Sequence, residues 1–247
     1  MPAPLHVAFV LAVAFGAFGA TMVGGLLALR LRDRLHLVLG FSAGAVLAVA
    51  FFDLLPEALK LAPAQPTDVL AVAALGFFAY TVLDRMILLH THQDDHNGHA
   101  QPNVARGWAG AASLSAHSLM DGLAIGMGFQ AGVSVGAVVA VAVLAHDCSD
   151  GMNTVSLVLK NAGTRRQAFG WLVMDAVAPV LGAGISLMVL LPQQALALVL
   201  ALFGGFFLYI GASDLLPESF HAHPKTLTTV TTLLGAAFLY IVVRLAG

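Results

Sequence analysis

The stretch AHSLMDGLAIGMGFQAGVSVGAVVAVAVLAHDCSDG, residues 116–151, decides the fold of this chain. Six polar residues stand at its two ends, separated by an uncharged apolar run: His117, Ser118, Asp121, His146, Asp147 and Asp150. Both ends lie in segments apolar enough for a bilayer. Ionisable side chains inside a membrane are costly and therefore rare, and where they occur they usually serve a function.

Two pairs of these residues have the spacing of one helical turn. Residues i and i+4 lie one above the other on an α-helix, so His117 is predicted to stack with Asp121, and His146 with Asp150. Two such helices facing each other would form a cage of imidazole and carboxylate groups. That ligand set suits a divalent transition metal.

The composition places this cage in a membrane protein. Of 247 residues, 59% are hydrophobic and 10% are charged, whereas an ordinary soluble domain has about a quarter charged residues. Basic clusters typical of nucleic-acid binding are missing from the sequence. The single cysteine, Cys148, excludes an intrachain disulfide framework.

Apolar runs of roughly 20 residues can cross a bilayer as a helix, and the chain contains eight. We predict an all-α polytopic membrane protein of a single transmembrane domain, with a His-rich loop at 91–106. The predicted spans lie near 5–29, 36–61, 68–90, 107–130, 132–159, 166–191, 195–220 and 226–245.

Positive charges predict the orientation, because they gather in cytoplasmic loops. With the N-terminus outside, nine of the eleven Lys and Arg residues fall inside, and only Lys60 and Arg244 fall outside. Both termini are therefore predicted to face out. We also predict that the chain lies in the plasma (inner) membrane.

Acidic residues indicate a pathway for a cation. The motif Asp53-Leu-Leu-Pro-Glu57 recurs as Asp214-Leu-Leu-Pro-Glu218. In the predicted topology the two copies lie at opposite faces of the membrane. Inverted repeats around a midplane site are a recurrent design of secondary transporters. We therefore predict that these four acids line the two mouths.

With the paired motifs HSLMDG and HDCSDG and the two DLLPE copies, the chain resembles the ZIP (Zrt-, Irt-like protein) family of divalent metal transporters. The resemblance covers nearly the whole sequence. It implies inverted repeats formed by the first three and last three spans around a central helix pair, and metal flux toward the cytosol. It also implies a metal site between the fourth and fifth spans, with these ligands: His117, Asp121, His146, Asp147 and Asp150.

The chain departs from the family pattern at several positions. Ser118 stands where Asn is common, and Met120 and Ser149 stand where both motifs commonly carry proline. Ala178 replaces the glutamate of a Glu-Pro pair that contributes to a second metal. Asp175, one turn earlier, is the candidate substitute in a second site with Ser118 and Asp147.

The loop between the third and fourth spans has a metal-binding composition. It is expected either to collect ions at the cytoplasmic exit or to be a solvated linker. Its candidate ligands are His90, His92, His96 and His99.

Mixed imidazole and carboxylate ligands suit Zn²⁺, with Fe²⁺ or Mn²⁺ as alternatives, and disfavour Cu⁺, Mg²⁺ and Ca²⁺. We expect the metal to be a transported substrate, with no cofactor and no enzymatic activity. An intramembrane zinc-dependent hydrolase is the main alternative, because His and Asp on neighbouring spans can hold zinc with an open water position. A proton-coupled carrier of another solute is a third.

Small-residue faces containing Gly16 and Gly19 permit helix contacts within or between protomers, which leaves a homodimer open.

Overall fold

The computed structural model describes residues 4–29, 35–91, 104–220 and 225–246. Every regular element within these ranges is helical, with no strand among them. The elements are α1 (Pro4–Ala28), α2 (Leu35–Val49), α3 (Leu55–Leu61), α4 (Pro66–Thr91), α5 (Val104–Ala131), α6 (Val133–Lys160), α7 (Arg165–Met188), α8 (Gln193–Tyr209), α9 (Leu216–Phe220) and α10 (Lys225–Ala246). π-Helical segments join α2 to α3 and α8 to α9.

Within the described residues, seven helical stretches are long and apolar enough to cross a membrane. The expectation of an all-helical, integral membrane protein is therefore confirmed at this level. The predicted fourth span corresponds to α5, which has 28 residues but is not among the seven. Its length suffices for a crossing, and its polar residues lower its hydropathy. Eight crossings remain a prediction.

The two π-helical segments occupy the same place in the two copies of the Asp-Leu-Leu-Pro-Glu motif. They span Ala50–Leu54 and Ile210–Leu215, and each ends two residues before the proline of its motif. The amide of Leu55 donates to the carbonyl of Ala50, five residues back. Proline has no amide hydrogen and clashes with the carbonyl four residues before it. A widened turn at this point relieves that conflict.

The helices form two groups by their contacts. The site bundle consists of α1, α5, α6 and α7, in which α5 packs most extensively on α7 and α6, and α1 packs on α6 and α7. The flanking group consists of the remaining helices, in which α2 pairs with α10 and α4 pairs with α8. Contacts between the two groups are less extensive, and they run mainly from α2 to α6 and from α5 to α4 and α8.

Glycines set the closest approaches in the flanking group. A Cβ atom at Gly44 on α2 would overlap with the carbonyl of Thr232 on α10. A Cβ atom at Gly235 on α10 would overlap with the carbonyl of Phe41 on α2. Backbones that approach this closely gain van der Waals and weak Cα–H···O contacts, which matter because lipid supplies no hydrophobic force between helices.

The pairing of α4 with α8 uses the same arrangement. A Cβ atom at Gly205 would overlap with the carbonyl of Ala73, and one at Gly76 would overlap with the carbonyl of Leu202. Each helix of the pair therefore contributes one glycine and one facing carbonyl, as in the pairing of α2 with α10.

We predict that Gly205→Ala lowers the melting temperature of the purified protein. The added methyl group meets a backbone carbonyl that cannot rotate away, and such overpacking costs about 1–3 kcal/mol. Gly184→Ala on α7 is the matched control, because nothing lies within 4 Å of the added Cβ atom. Thermal unfolding in detergent measures both variants. Equal melting temperatures would show that the α4–α8 crossing is not closely packed.

Candidate metal centre

The four residues His117, Asp121, His146 and Asp150 lie together between α5 and α6. One potential ligand atom from each lies within 4.8 Å of the others, and all four side chains are buried. His117 Nε2 is 3.3 Å from Asp121 Oδ2 and 3.5 Å from Asp150 Oδ2. His146 Nε2 is 3.4 Å and 3.6 Å from the same two oxygens. Each carboxylate is therefore shared by both imidazoles.

These separations fit a tetrahedral metal ion. Zinc bound by histidine nitrogen and carboxylate oxygen has ligand distances of about 2.1 Å, so neighbouring ligand atoms of a tetrahedron lie about 3.4 Å apart. The four nitrogen–oxygen distances of the cluster, 3.3 to 3.6 Å, match that spacing. The cluster needs little rearrangement to receive an ion.

The two histidines are held differently. His146 Nδ1 lies 2.8 Å from the carbonyl oxygen of Ala142 on its own helix. A carbonyl only accepts, so Nδ1 carries the proton and, in the neutral ring, the Nε2 lone pair faces the cluster. His117 Nδ1 is buried and has no hydrogen-bond partner among the described residues.

Several polar atoms of the cluster are buried with no hydrogen bond to the described part of the chain. They are His117 Nδ1 and Nε2, Asp121 Oδ1, Asp150 Oδ2 and both carboxylate oxygens of Asp147. Buried polar atoms are normally paired. The sequence has no Lys or Arg between Arg106 and Lys160 that could offset these carboxylates from within α5 or α6. Such an excess of acceptors fits a bound cation.

A second set of polar contacts lies beside the cage and involves α7. Ser118 Oγ donates to Asp175 Oδ1 at 2.7 Å, and Thr154 Oγ1 donates to Asp175 Oδ2 at 2.7 Å. Two of the three residues predicted for a second site, Ser118 and Asp175, therefore touch. Asp147, the third, is fully buried.

Thr154 is missed by the sequence analysis. It follows Asp150 by one helical turn and therefore continues the polar face of α6 toward α7. A hydroxyl at that spacing is a weak signal, because threonine side chains in membrane helices often bond only to their own backbone.

Glycines bring α7 and α1 against the motif turns of α5 and α6. Gly122 follows Asp121, and a Cβ atom there would overlap with the carbonyl of Pro179 on α7. Gly151 follows Asp150, and a Cβ atom there would overlap with the carbonyl of Thr21 on α1. The two glycines that end the paired motifs thus let neighbouring backbones support the ligand-bearing turns.

The predicted pathway acids are only partly described. Asp53 is 9% exposed, and its Oδ2 has no hydrogen bond to the described residues. Glu57 pairs with exposed Lys60, whose Nζ lies 3.1 Å from Glu57 Oε2. The structure does not describe the side chains of Asp214 and Glu218.

Most of the predicted His-rich loop also falls outside the described residues. His92, His96 and His99 fall outside the described residues, and His90 is in the last turn of α4 with its side chain not described. Cys148 is half-buried and packs against a buried apolar cluster that includes Met152 and Val155.

Within the described part of the chain, seven helices long and apolar enough to cross a bilayer accompany a buried His/Asp cluster, so the chain is an integral membrane protein. The family model of ZIP zinc transporters matches residues 90–243. The chain belongs to this family.

Three curated relatives extend the match. Zinc transporter ZupT of Escherichia fergusonii is 25% identical over 98% of this chain and 99% of its own length. Zinc transporter ZupT of Corynebacterium aurimucosum is 26% identical over 81% of this chain and 83% of its own length. Zinc transporter YKE4 of Saccharomyces cerevisiae is 24% identical over 78% of this chain and 65% of its own length.

We predict that Asp150→Ala weakens Zn²⁺ binding by at least about 100-fold, because loss of a residue that merely supports a ligand already costs roughly 10- to 100-fold. Competition with a chromophoric chelator on purified protein measures the affinity. Asp68→Ala, which removes an exposed carboxylate at the start of α4, is the control and should bind as the unchanged protein does. Equal affinity of Asp150→Ala and the control would remove Asp150 from the ligand set.

Proposed function

We propose that this protein carries a divalent transition metal, with Zn²⁺ as the main substrate, into the cytoplasm by alternating access. The observation that supports this most is the buried cage in which two imidazole nitrogens and two carboxylate oxygens converge. Relatives across its length are named as zinc transporters. Fe²⁺ and Mn²⁺ suit the same ligands, and affinity order alone does not select among these ions.

A second ion position beside the cage involves Ser118, Asp147 and Asp175. Asp147 has two buried carboxylate oxygens without hydrogen bonds to the described residues, which favours a cation nearby. Both oxygens of Asp175 already accept a hydroxyl hydrogen bond. Asp175 therefore has fewer free oxygen lone pairs to offer an ion than Asp147. The hydrogen bond from Thr154 fixes the orientation of the Asp175 carboxylate.

Alternating access requires two halves that can exchange their roles. The glycine contacts support an inverted repeat of α1–α4 with α7–α10. Gly44 and Gly205 stand at the same distance before Asp53 and Asp214, and each approaches a carbonyl of the helix that it pairs with. The two π-helical segments occupy equivalent positions as well.

The central helices support the same relation. In the α5–α7 pair, Gly122 meets Pro179 and Gly182 meets the carbonyl of Leu119. In the α1–α6 pair the equivalent contacts join Gly151 to Thr21 and Gly24 to Cys148. The contacts of the α5–α7 pair are therefore equivalent to those of the α6–α1 pair, with α6 in the place of α5 and α1 in the place of α7.

Movement between the site bundle and the flanking group offers a route for the exchange. The close glycine crossings lie within one group or the other. Across the boundary, Ser42 Oγ on α2 lies 2.8 Å from Ser149 Oγ on α6 and donates to the carbonyl of Ala145. A few hydrogen bonds of this kind contribute about 1 kcal/mol each, which a transport cycle can break and re-form.

The motif acids suit the two mouths of the route. With the N-terminus outside, Asp53 and Glu57 lie toward the outer face, and Asp214 and Glu218 lie toward the cytoplasm. Negatively charged side chains near a narrow entrance raise the local concentration of cations. Lys60 offsets part of the charge of Glu57.

Zinc uptake into proteoliposomes that contain an ion-sensitive dye tests the proposal. We expect uptake by the unchanged protein, near-complete loss in Asp150→Ala, and unchanged uptake in Asp68→Ala. Asp175→Ala should retain binding at the cage and lose uptake in part, because it disturbs only the second position.

Tight zinc binding without passage would contradict transport. The zinc-dependent hydrolase would then be the remaining candidate, and hydrolysis of a peptide or ester substrate by the zinc-loaded protein would support it. The repeated motif at two opposite mouths has no purpose in that alternative.

The proposed orientation places both termini outside and predicts which loops reach which face. In a Cys148→Ser background, Gly132→Cys in the turn between α5 and α6 should react with a membrane-impermeant maleimide on intact cells. Arg166→Cys, exposed at the start of α7, should react only after permeabilisation. Cys148→Ser alone is the unlabelled control. The reverse pattern of labelling would invert the orientation.

A further inference from the structure

His117 is a buried ligand candidate that its own helix does not anchor. Its side chain is 2% exposed, and its Nδ1 has no hydrogen-bond partner in the described part of the chain. Histidines that bind metals almost always donate the second ring nitrogen to an acceptor, which fixes the ring plane. His146 has that support from Ala142. His117 needs another source of orientation.

An aromatic ring from α4 supplies a contact at this position. The ring of Tyr80 stands nearly perpendicular to the ring of His117, with an interplanar angle of 88° and a centroid distance of 6.4 Å. This is an edge-to-face arrangement, which favours one relative orientation of the two rings. Tyr80 is itself 6% exposed and therefore confined.

Neighbouring aromatic residues hold Tyr80 in place. Its ring lies 5.7 Å from that of Phe206 and 5.3 Å from that of Tyr209, measured between centroids. Both residues come from α8, the helix that pairs with α4. Tyr80 is therefore the end of a packed aromatic cluster rather than a mobile side chain, and it can restrict the rotation of His117.

From these contacts we propose that Tyr80 is a positioning residue that orients His117 in the metal cage and so raises the affinity of the site. The inference rests on the proposed function only in taking the cage as a metal site. Phe207 contacts His146 in a similar way, with centroids 6.2 Å apart at 77°. Its contribution is smaller, because Ala142 already fixes the ring of His146.

Equilibrium binding to the purified, metal-free protein tests this role without transport. Zn²⁺ affinity is measured by chelator competition, and the ligand field is measured by the visible absorption of bound Co²⁺. We expect Tyr80→Leu to weaken Zn²⁺ binding by roughly 10- to 100-fold, the range for residues that support a metal ligand, and to alter the Co²⁺ spectrum. Tyr80→Phe, which keeps the ring, should restore both.

Two further variants sharpen the comparison. Phe207→Leu should lose less affinity than Tyr80→Leu. Phe78→Leu, at an exposed position of the same helix, is the matched control and should leave affinity and spectrum unchanged. If Tyr80→Leu does not fold, Tyr80→Met takes its place, since a flexible methionine fills irregular space without a ring.

The inference is wrong if the ringless variant binds Zn²⁺ and Co²⁺ as the unchanged protein does. It is also wrong if Tyr80→Phe loses as much affinity as Tyr80→Leu, or if Phe207→Leu loses equally. Failure of the proposed function is recognised separately, because the unchanged protein would then bind no metal or would bind it and transport none.

Discussion

Two carboxylates shared between two imidazoles are the arrangement on which the rest of the structure depends. Asp121 and Asp150 each place one oxygen 3.3 to 3.6 Å from both histidine Nε2 atoms. The attraction between histidine and carboxylate offsets part of the cost of burying these groups, and a bound cation would offset more. The cage exists only because α5 and α6 face each other along their polar sides. The same residues therefore determine both how the two helices pack and which groups meet at the site.

Packing of the other helices follows from this constraint. The polar sides of α5 and α6 are committed to each other, and Gly122 and Gly151 present bare backbone to α7 and α1. The remaining helices pair among themselves through glycines as well. Shape complementarity between backbones therefore replaces the hydrophobic force that a soluble core would use, and it concentrates rigidity within each helix group rather than across their boundary.

Much of this arrangement could be predicted from the sequence. Apolar length predicted the helices, and the spacing of His117 with Asp121 and of His146 with Asp150 predicted which faces would meet. The π-helical segments could not be predicted. Proline at 56 and 217 indicates a bend or an end, but the choice of a widened turn depends on the packing of the whole helix.

The surroundings of the site were predicted less well. Tyr80 reaches the site only through tertiary packing, and Thr154, one turn after Asp150 on α6, carries only a weak sequence signal. The partnership of Glu57 with Lys60 was missed for a different reason. Lys60 lies one turn further along the chain and is exposed, and an exposed ion pair is screened and contributes little.

The contact between Tyr80 and His117 joins the flanking group to the site bundle, whereas the hydrogen bond from His146 to Ala142 lies within one helix. If the two groups slide past each other, His146 keeps its support and His117 loses its own. The same four ligands would then form a strong site in one position of the bundle and a weak one in the other. Under the proposed function, rotation of one ligand, His117, would then be enough for the chain to bind and release its metal, without exchange of any of the atoms that bind it.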